Sequence, residues 1–238
     1  MAHLPRGSTR VLSLRALEDG RWVARRARVA TEEAWTVEFG FLNKAGPFFC
    51  TPADLEALAV GHLLNEGYCL PADIEMARVH RRLRVVRVRT RRVEHEPSRP
   101  LPRVAPRTVT PGAIFKRTEE MLEGARLYKA ARGVHTSALA DGRGLRWLVE
   151  DVGKYNTLDK LRGLAHLQGR PTRGLTLLTT GRLTGGMVSK GLRMGVPVMA
   201  TIGGTTAEGV RLARAGGAAL IGYVRGRSLN LYAGRPAE

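Results

Sequence analysis

Cysteine is nearly missing from this chain: Cys50 and Cys69 are the two among 238 residues. Two thiols make no disulfide framework, which argues against a small secreted scaffold and for a reducing, cytoplasmic setting. No stretch approaches the ~18 apolar residues of a membrane-spanning helix. The opening "MAHLPRGSTRVLSLRALEDG" holds neither a long apolar run nor a small-residue cleavage site, so no signal peptide is expected. Aromatics are scarce as well, at five Phe, five Tyr and three Trp. They form no stripe among the basic residues, which speaks against a stacking platform for nucleic acid. Acidic residues number 21 against 39 basic ones, a net charge of +18.

What is abundant is arginine. Six of the 39 basic residues are lysine, leaving 33 arginines. The guanidinium fork matches phosphate and carboxylate bidentately, so an anionic partner is one reading of the charge. A solvated surface is the other.

Residues 10–50 alternate in short apolar patches and read as strands, with a turn at "NKAG". "CTPADLEALAVGHLLNEG" then reads as a helix. Thr51 is its N-cap candidate, Pro52 its first residue, Asp54 the partner three places on, and Gly67 its stop. "RVHRRLRVVRVRTRRVEH" is β-rich, and "EPSRPLPRVAPRTVTPG", with five prolines, reads as a linker. Thr110 and Pro111 open another helix. From about 133 onward strands and helices alternate, which predicts an α/β domain with a mainly parallel sheet. The expected division is residues 1–108, a small α+β domain ending in the Pro/Arg-rich linker, and residues 109–238, the α/β domain.

Three loops stand at strand-to-helix transitions: "EDVGKYN", "GRLTGG" and "GGTT". Such loops share one edge of a parallel sheet, and each offers backbone N–H groups at a helix start, where the dipole favours an anion. Asp151, Lys154, Asn156, Arg182 and Lys190 are the candidate side chains for a phosphate-bearing ligand. A plainer reading also stands: Asn156 caps a helix with Asp159 completing the box, and Asp151 and Lys154 are surface residues of a turn.

His135 is expected to precede an apolar helix, the arrangement of a zinc deaminase. That chemistry needs His-x-Glu and a downstream Pro-Cys-x-x-Cys. Ser137 stands where the acid would be and no cysteine follows Cys69, so zinc deamination is excluded and no metal site is expected. "GRLTGGMVSK" is no Walker motif, and no GxGxxG opens a helix.

Taken in order, "CTPADLEALAVGHLLNEG", "GVH", "EDVGKYNTLDK", "TGR", "GVPV" and "LIGYVRGRSLNLY" resemble the FdhD/NarQ family of formate dehydrogenase accessory proteins, over about residues 32–232. The resemblance implies a cytidine-deaminase-like three-layer α/β/α domain without zinc, beside a smaller N-terminal domain. It implies a homodimer that binds the molybdenum cofactor as its bis-guanine-dinucleotide, with GDP as a surrogate ligand. It also implies sulfur received from a cysteine desulfurase, passed to the metal, and delivered to a formate dehydrogenase or related molybdoenzyme. The family's cofactor-binding stretch falls on Tyr223, Val224, Arg225, Gly226, Arg227 and Ser228, and the matching "GVH" adds His135.

The chain departs from the family in one chemical respect. The Cys-Gly-x-Cys-Gly carrier loop is replaced by "RTRRVEHEPSRPLPRVAPRTVT", which has no cysteine, and a persulfide carrier needs a thiolate. Cys50, read as standing just before a helix cap, is the one substitute with a reason behind it. A buried structural thiol is the other reading of the same residue. The alternatives are therefore a cofactor-binding chaperone without sulfur transfer and, from charge alone, a nucleic-acid-binding protein.

Overall fold

A computed structural model describes residues 4–41, 43–93 and 100–237. The first part of the Pro/Arg-rich linker, residues 94–99, lies outside them. The chain opens with an antiparallel ribbon of β1 (Thr9–Glu18) and β2 (Arg21–Ala30), which forms a two-stranded sheet of its own. A four-stranded sheet follows, in order β4-β3-β6-β5, built from β3 (Glu33–Phe39), β4 (Asn43–Cys50), β5 (Ile74–His80) and β6 (Val85–Thr90). Trp35, Val37 and Phe39 alternate inward along β3 and pack on α1 (Leu55–Glu66). The turn after β3 falls at Gly40 and Phe41, ahead of "NKAG", which is itself the start of β4.

Helix α1 begins three residues later than its cap signal predicts. Asp54 is the N-cap residue, with φ 51°, and makes no side-chain cap bond. Thr51 is taken up elsewhere, accepting from Val152 N at its hydroxyl and from Lys160 Nζ at its carbonyl. Gly67 ends the helix in the left-handed conformation at φ 87°, donating to Leu63 O.

The second half begins with β7 (Thr108–Val109), α2 (Pro111–Gly124) and α3 (Arg126–Ala131). The alternating region then supplies β8 (His135–Asp141), β9 (Gly144–Asp151), α4 (Lys154–Leu167), β10 (Thr176–Thr179), α5 (Gly185–Arg193) and β11 (Val198–Thr201). It closes with α6 (Ala207–Gly216), β12 (Ala219–Arg225), β13 (Ser228–Ala233) and β14 (Arg235–Pro236). The six-stranded sheet runs β13-β12-β11-β10-β8-β9.

That sheet is mixed, where a mainly parallel one was expected. β10, β11 and β12 are mutually parallel, whereas β8, β9 and β13 enter antiparallel. The difference lies in two hairpins, β8–β9 and β12–β13, whose connections are too short for a crossover. His135 accordingly starts a strand and not a helix. Leu158, Leu161, Val188 and Leu192 pack helices α4 and α5 on one face with Leu177 and Leu220 of the sheet, and Ile114 and Met121 bring α2 to the other. The linker's second part joins this core through Leu101 and Val104, and β7, at the expected domain boundary, pairs with β14.

The two sheets are joined helix to helix. A Cβ on Gly61 of α1 would fall 1.7 Å from the carbonyl oxygen of Asp159, and one on Gly163 of α4 would fall 1.9 Å from that of Ala57. The two backbones therefore touch, and only glycine permits that approach. Wedged between a sheet and a helix, α1 is apolar around most of its circumference: Ala57, Leu58, Ala59, Val60, Leu63 and Leu64 are all buried.

Candidate functional site

The topology brings the ends of β9, β10, β11 and β12, and the starts of β8 and β13, to one edge of the six-stranded sheet. His135, Lys154, Arg182 and Tyr223–Ser228 meet there. Lys154 starts α4, and its Cβ lies 3.1 Å from the place where a side chain on Gly181 would begin. Its ammonium sits 5.0 Å from the centroid of the Tyr155 ring. His135 Nδ1 lies 3.4 Å from the Thr180 hydroxyl. Burial, then the Lys154 ammonium, pushes its imidazole below the ordinary 6.5 against the opposing pull of Asp151. The ring is neutral at pH 7, one nitrogen donating and the other accepting.

A threonine and glycine ladder holds the loops. Thr201 Oγ1 donates to Gly181 O at 2.8 Å and accepts from Gly203 N at 2.9 Å, while Leu183 N reaches Gly204 O at 3.0 Å. Ser137 Oγ is within 2.7 Å of Thr157 Oγ1 and 2.8 Å of Thr179 Oγ1. Tyr223 has φ 54°, a conformation a bulky residue rarely adopts, and its N–H donates to Gly203 O at 2.8 Å. The phenol oxygen lies 2.8 Å from where a Cβ on Gly204 would stand, so the ring lies against that loop. Such strain is held by its surroundings, and it gathers at ligand sites.

Helices α4 and α5 begin without a side-chain cap, at Gly153 and Thr184. Their first-turn N–H groups can meet an anion. The third loop differs, because Thr206 caps α6 by accepting from Gly209 N at 3.2 Å. The edge therefore has two open helix starts where three were expected. Beside it, Phe115, Thr118, Glu119, Val224, Arg225 and Gly226 line a cavity of about 560 Å³. The Thr118 hydroxyl is buried there without a partner. Neither Thr118 nor Phe115 carried a signal in the sequence, since α2 reaches the edge only through tertiary packing. Arg225, Gly226, Arg227 and Ser228 are exposed, whereas Val224 points into the core.

Asp151, Asn156 and Lys190 belong below the edge and not on it. Asp151 is wholly buried, its Oδ2 2.5 Å from Lys160 Nζ and 3.1 Å from Thr51 N, its Oδ1 2.8 Å from Gly153 N and from Asn156 Nδ2. Asn156 Nδ2 also donates to Phe49 O at 2.8 Å. Asn156 thus stands in the third place of α4 and ties it to β4; Gly153 is the N-cap, and no box with Asp159 exists. Lys190 Nζ lies 2.8 Å from Asp159 Oδ1 and 2.5 Å from Glu66 Oε1, spanning α5, α4 and α1. These residues spend their charges on the seam between the two sheets. The turn "EDVGKYN" is polar because it serves the seam with its buried side chains and the edge with its backbone and Lys154.

The thiols are inert by position. Cys50 and Cys69 are both buried and unbonded to each other. Burial, then the Asp151 carboxylate, pushes the Cys50 thiol up to about 12. No helix start activates it, because α1 begins at Leu55. No cluster of three His, Cys, Asp or Glu able to hold a metal occurs among the described residues. No helix among them is long and apolar enough to cross a membrane.

Fold and site together define an α/β protein built on a six-stranded and a four-stranded sheet, with a basic, glycine-lined strand-end edge suited to an anionic ligand. The profile of the FdhD/NarQ family matches residues 93–237, and the chain belongs to that family. It is similar to the sulfur carrier protein FdhD of Sulfurisphaera tokodaii, at 36% identity over 52% of this chain and 49% of that one. The match to the protein of the same name from Bordetella petrii is 30% identical and covers 86% of this chain and 84% of that one. The chain thus spans about half the length of the Sulfurisphaera relative and most of the Bordetella one. A crystal structure of a proposed formate dehydrogenase accessory protein from Desulfotalea psychrophila superposes with a TM-score of 0.86, at 26% identity, covering 94% of this chain and 97% of that one.

Proposed function

We propose that this chain is a formate dehydrogenase accessory protein that binds the molybdenum bis-guanine-dinucleotide cofactor as cargo and delivers it to a molybdoenzyme. The observation that carries the reading is the convergence, on one sheet edge, of two uncapped helix starts with Lys154, Arg182, Arg225 and Arg227. Pyrophosphate groups suit such backbone N–H groups and cationic side chains. The cavity beside Arg225 would take a base, with Phe115 for stacking and the Glu119 carboxylate for its polar edge. The molybdenum centre's chemistry belongs to the cargo. This chain's part is to bind, orient and shield.

Sulfur transfer by a thiol of this chain is the reading that the site does not favour. Cys50 is a neutral, buried thiol at neutral pH, and thiol–disulfide or persulfide exchange proceeds through an exposed thiolate. Delivery of the cofactor, with any sulfuration supplied by another protein, is the function that these residues support. A cysteine desulfurase is then no obligatory partner, while a molybdoenzyme client and a second copy of the chain remain part of the proposal.

Calorimetric titration with GDP and ADP at about 0.15 M salt tests this reading. Saturable GDP binding, weaker for ADP and reduced by Arg225→Ala, is the expected result. An equal response to every polyanion, unchanged by Arg225→Ala, would overturn it.

A further inference from the structure

A second cavity, of about 530 Å³, lies at the opposite end of the same sheet. Arg107 beside β7, Arg214 on α6 and Arg235 on β14 line it, together with Gly217 and Ala218, which lead into β12. No carboxylate among the described residues lines it. Elsewhere several arginines are paired with acids: Arg25 with Glu18, Arg87 with Glu38, Arg91 with Glu75, Arg146 with Asp141 and Arg211 with Glu208. Arg107, Arg214 and Arg235 make no ion pair among the described residues; Arg214 donates to Tyr232 O at 3.0 Å and the other two side chains are unbonded. Three like charges from three separate elements repel one another, and the C-terminal end of α6 offsets only part of that. An anion relieves the repulsion, and planar guanidinium forks from three sides fit a phosphoryl group.

β12 separates this cavity from the strand-end edge. Its seven residues span about 20 Å at ~3.3 Å each, so phosphates seated at Arg225 do not reach Arg214. We propose that the cavity lined by Arg107, Arg214 and Arg235 is a second anion site, for a small molecule carrying phosphate or pyrophosphate. A half-open cleft of about 530 Å³ lies within the usual size range for small-molecule sites. Its place among separate elements near the linker makes it independent of the cofactor reading.

The test is calorimetry on the full chain at about 0.15 M salt, with inorganic pyrophosphate in one arm and ribose 5-phosphate in the other. Arg107→Ala/Arg235→Ala is the site variant, because those two side chains hold no other structure; Arg10→Ala/Arg15→Ala on the N-terminal ribbon removes the same charge elsewhere. The expected result is a saturable site that persists in the wild type, in the ribbon variant and in Lys154→Ala, with affinity at least about a hundredfold lower in the site variant, roughly tenfold per lost fork. Tighter binding of pyrophosphate assigns an inorganic anion, and tighter binding of ribose 5-phosphate assigns a phosphate ester; both uphold the site. Equal losses in the two double variants would reduce the effect to net charge and overturn the proposal. So would loss of pyrophosphate binding on Lys154→Ala, which would place the probe at the strand-end edge, or the absence of any saturable binding.

Discussion

The carboxylate of Asp151 and the ammonium of Lys160 lie 2.5 Å apart, both wholly buried, at the junction of the two halves of the molecule. Asp151 also accepts from Thr51 N and Gly153 N, and Lys160 donates to Thr51 O, so the pair ties the end of β4 to the start of α4. A buried pair adds little over an apolar pair of similar volume, but removing one partner strands a charge. Asp151→Ala should therefore cost about 3–5 kcal/mol, and Asp151→Leu/Lys160→Met much less than twice that. Urea unfolding of the single and double variants measures both. A loss within about 0.5 kcal/mol for Asp151→Ala, the size expected of an exposed turn residue, would return Asp151 to the surface.

Lys154 makes the contrasting case. Its ammonium lies over the Tyr155 ring at the edge and makes no ion pair among the described residues. Lys154→Ala should weaken GDP binding about tenfold to a hundredfold, the effect of one charge-assisted contact worth roughly 1.5–3 kcal/mol. Global stability should change by only about 0.5 kcal/mol. Calorimetry and thermal melts on one preparation separate the two effects, and an unchanged Kd would remove Lys154 from the site.

With the Cys50 thiol at about 12, roughly one molecule in ten thousand or fewer is a thiolate at pH 7.5. Incubation with a cysteine desulfurase and cysteine should leave no stable persulfide on the native chain. Iodoacetamide should label both cysteines far faster in urea than in buffer. Mass spectrometry that finds an adduct of about +32 Da on Cys50 in most native molecules, one sulfur atom, would restore the carrier role.

The Asp159–Lys190 pair sets the pH range of the seam. Burial pushes the Asp159 carboxyl up, but the Lys190 ammonium and His62 outweigh it, so the folded value lies below the ordinary 3.8. Burial pushes Lys190 down, but Asp159 and Glu66 outweigh it, and its folded value lies above 10.5. A depressed carboxyl adds stability above its unfolded value and loses it as pH falls through the folded one. A raised lysine adds stability below its unfolded value and loses it as pH rises through the folded one. The pair's contribution should hold level from about pH 5 to pH 9 and fall on both sides. Urea midpoints from pH 3 to pH 11 test this: Lys190→Met should lower the plateau and flatten the alkaline decline, and an alkaline limb identical to wild type would exclude Lys190 as its source.

Much of the architecture follows from local signals. β10 and β11 are short apolar runs bounded by loops, α2 opens on Thr110 and Pro111, and α1 stops at Gly67 as its glycine requires. Local signals misled where a residue has a distant partner. Thr51, Pro52 and Asp54 read as a helix start, yet the Thr51 hydroxyl accepts from Val152 N, 101 residues away. His135 read as preceding a helix, yet it begins a strand that pairs with β9 and β10. The hairpins that make the sheet mixed depend on which strands pair, and pairing is not a local property.

The sequence by itself determined the family, the alternation of strands and helices from β9 to β12, the glycine loops at the helix starts, and the want of an activatable thiol in the carrier loop, because each is written in residue type and spacing. Tertiary structure alone decided which polar residues of "EDVGKYN" face a ligand and which hold the molecule together. Asp151 and Asn156 read as ligand-facing or turn residues until the approach of α1, through Gly61 and Gly163, removes them, with Lys160, from water. Once that happens, the desolvation of a charge commits it to the nearest buried partner, and Lys154, Tyr155 and the backbone are left for the edge.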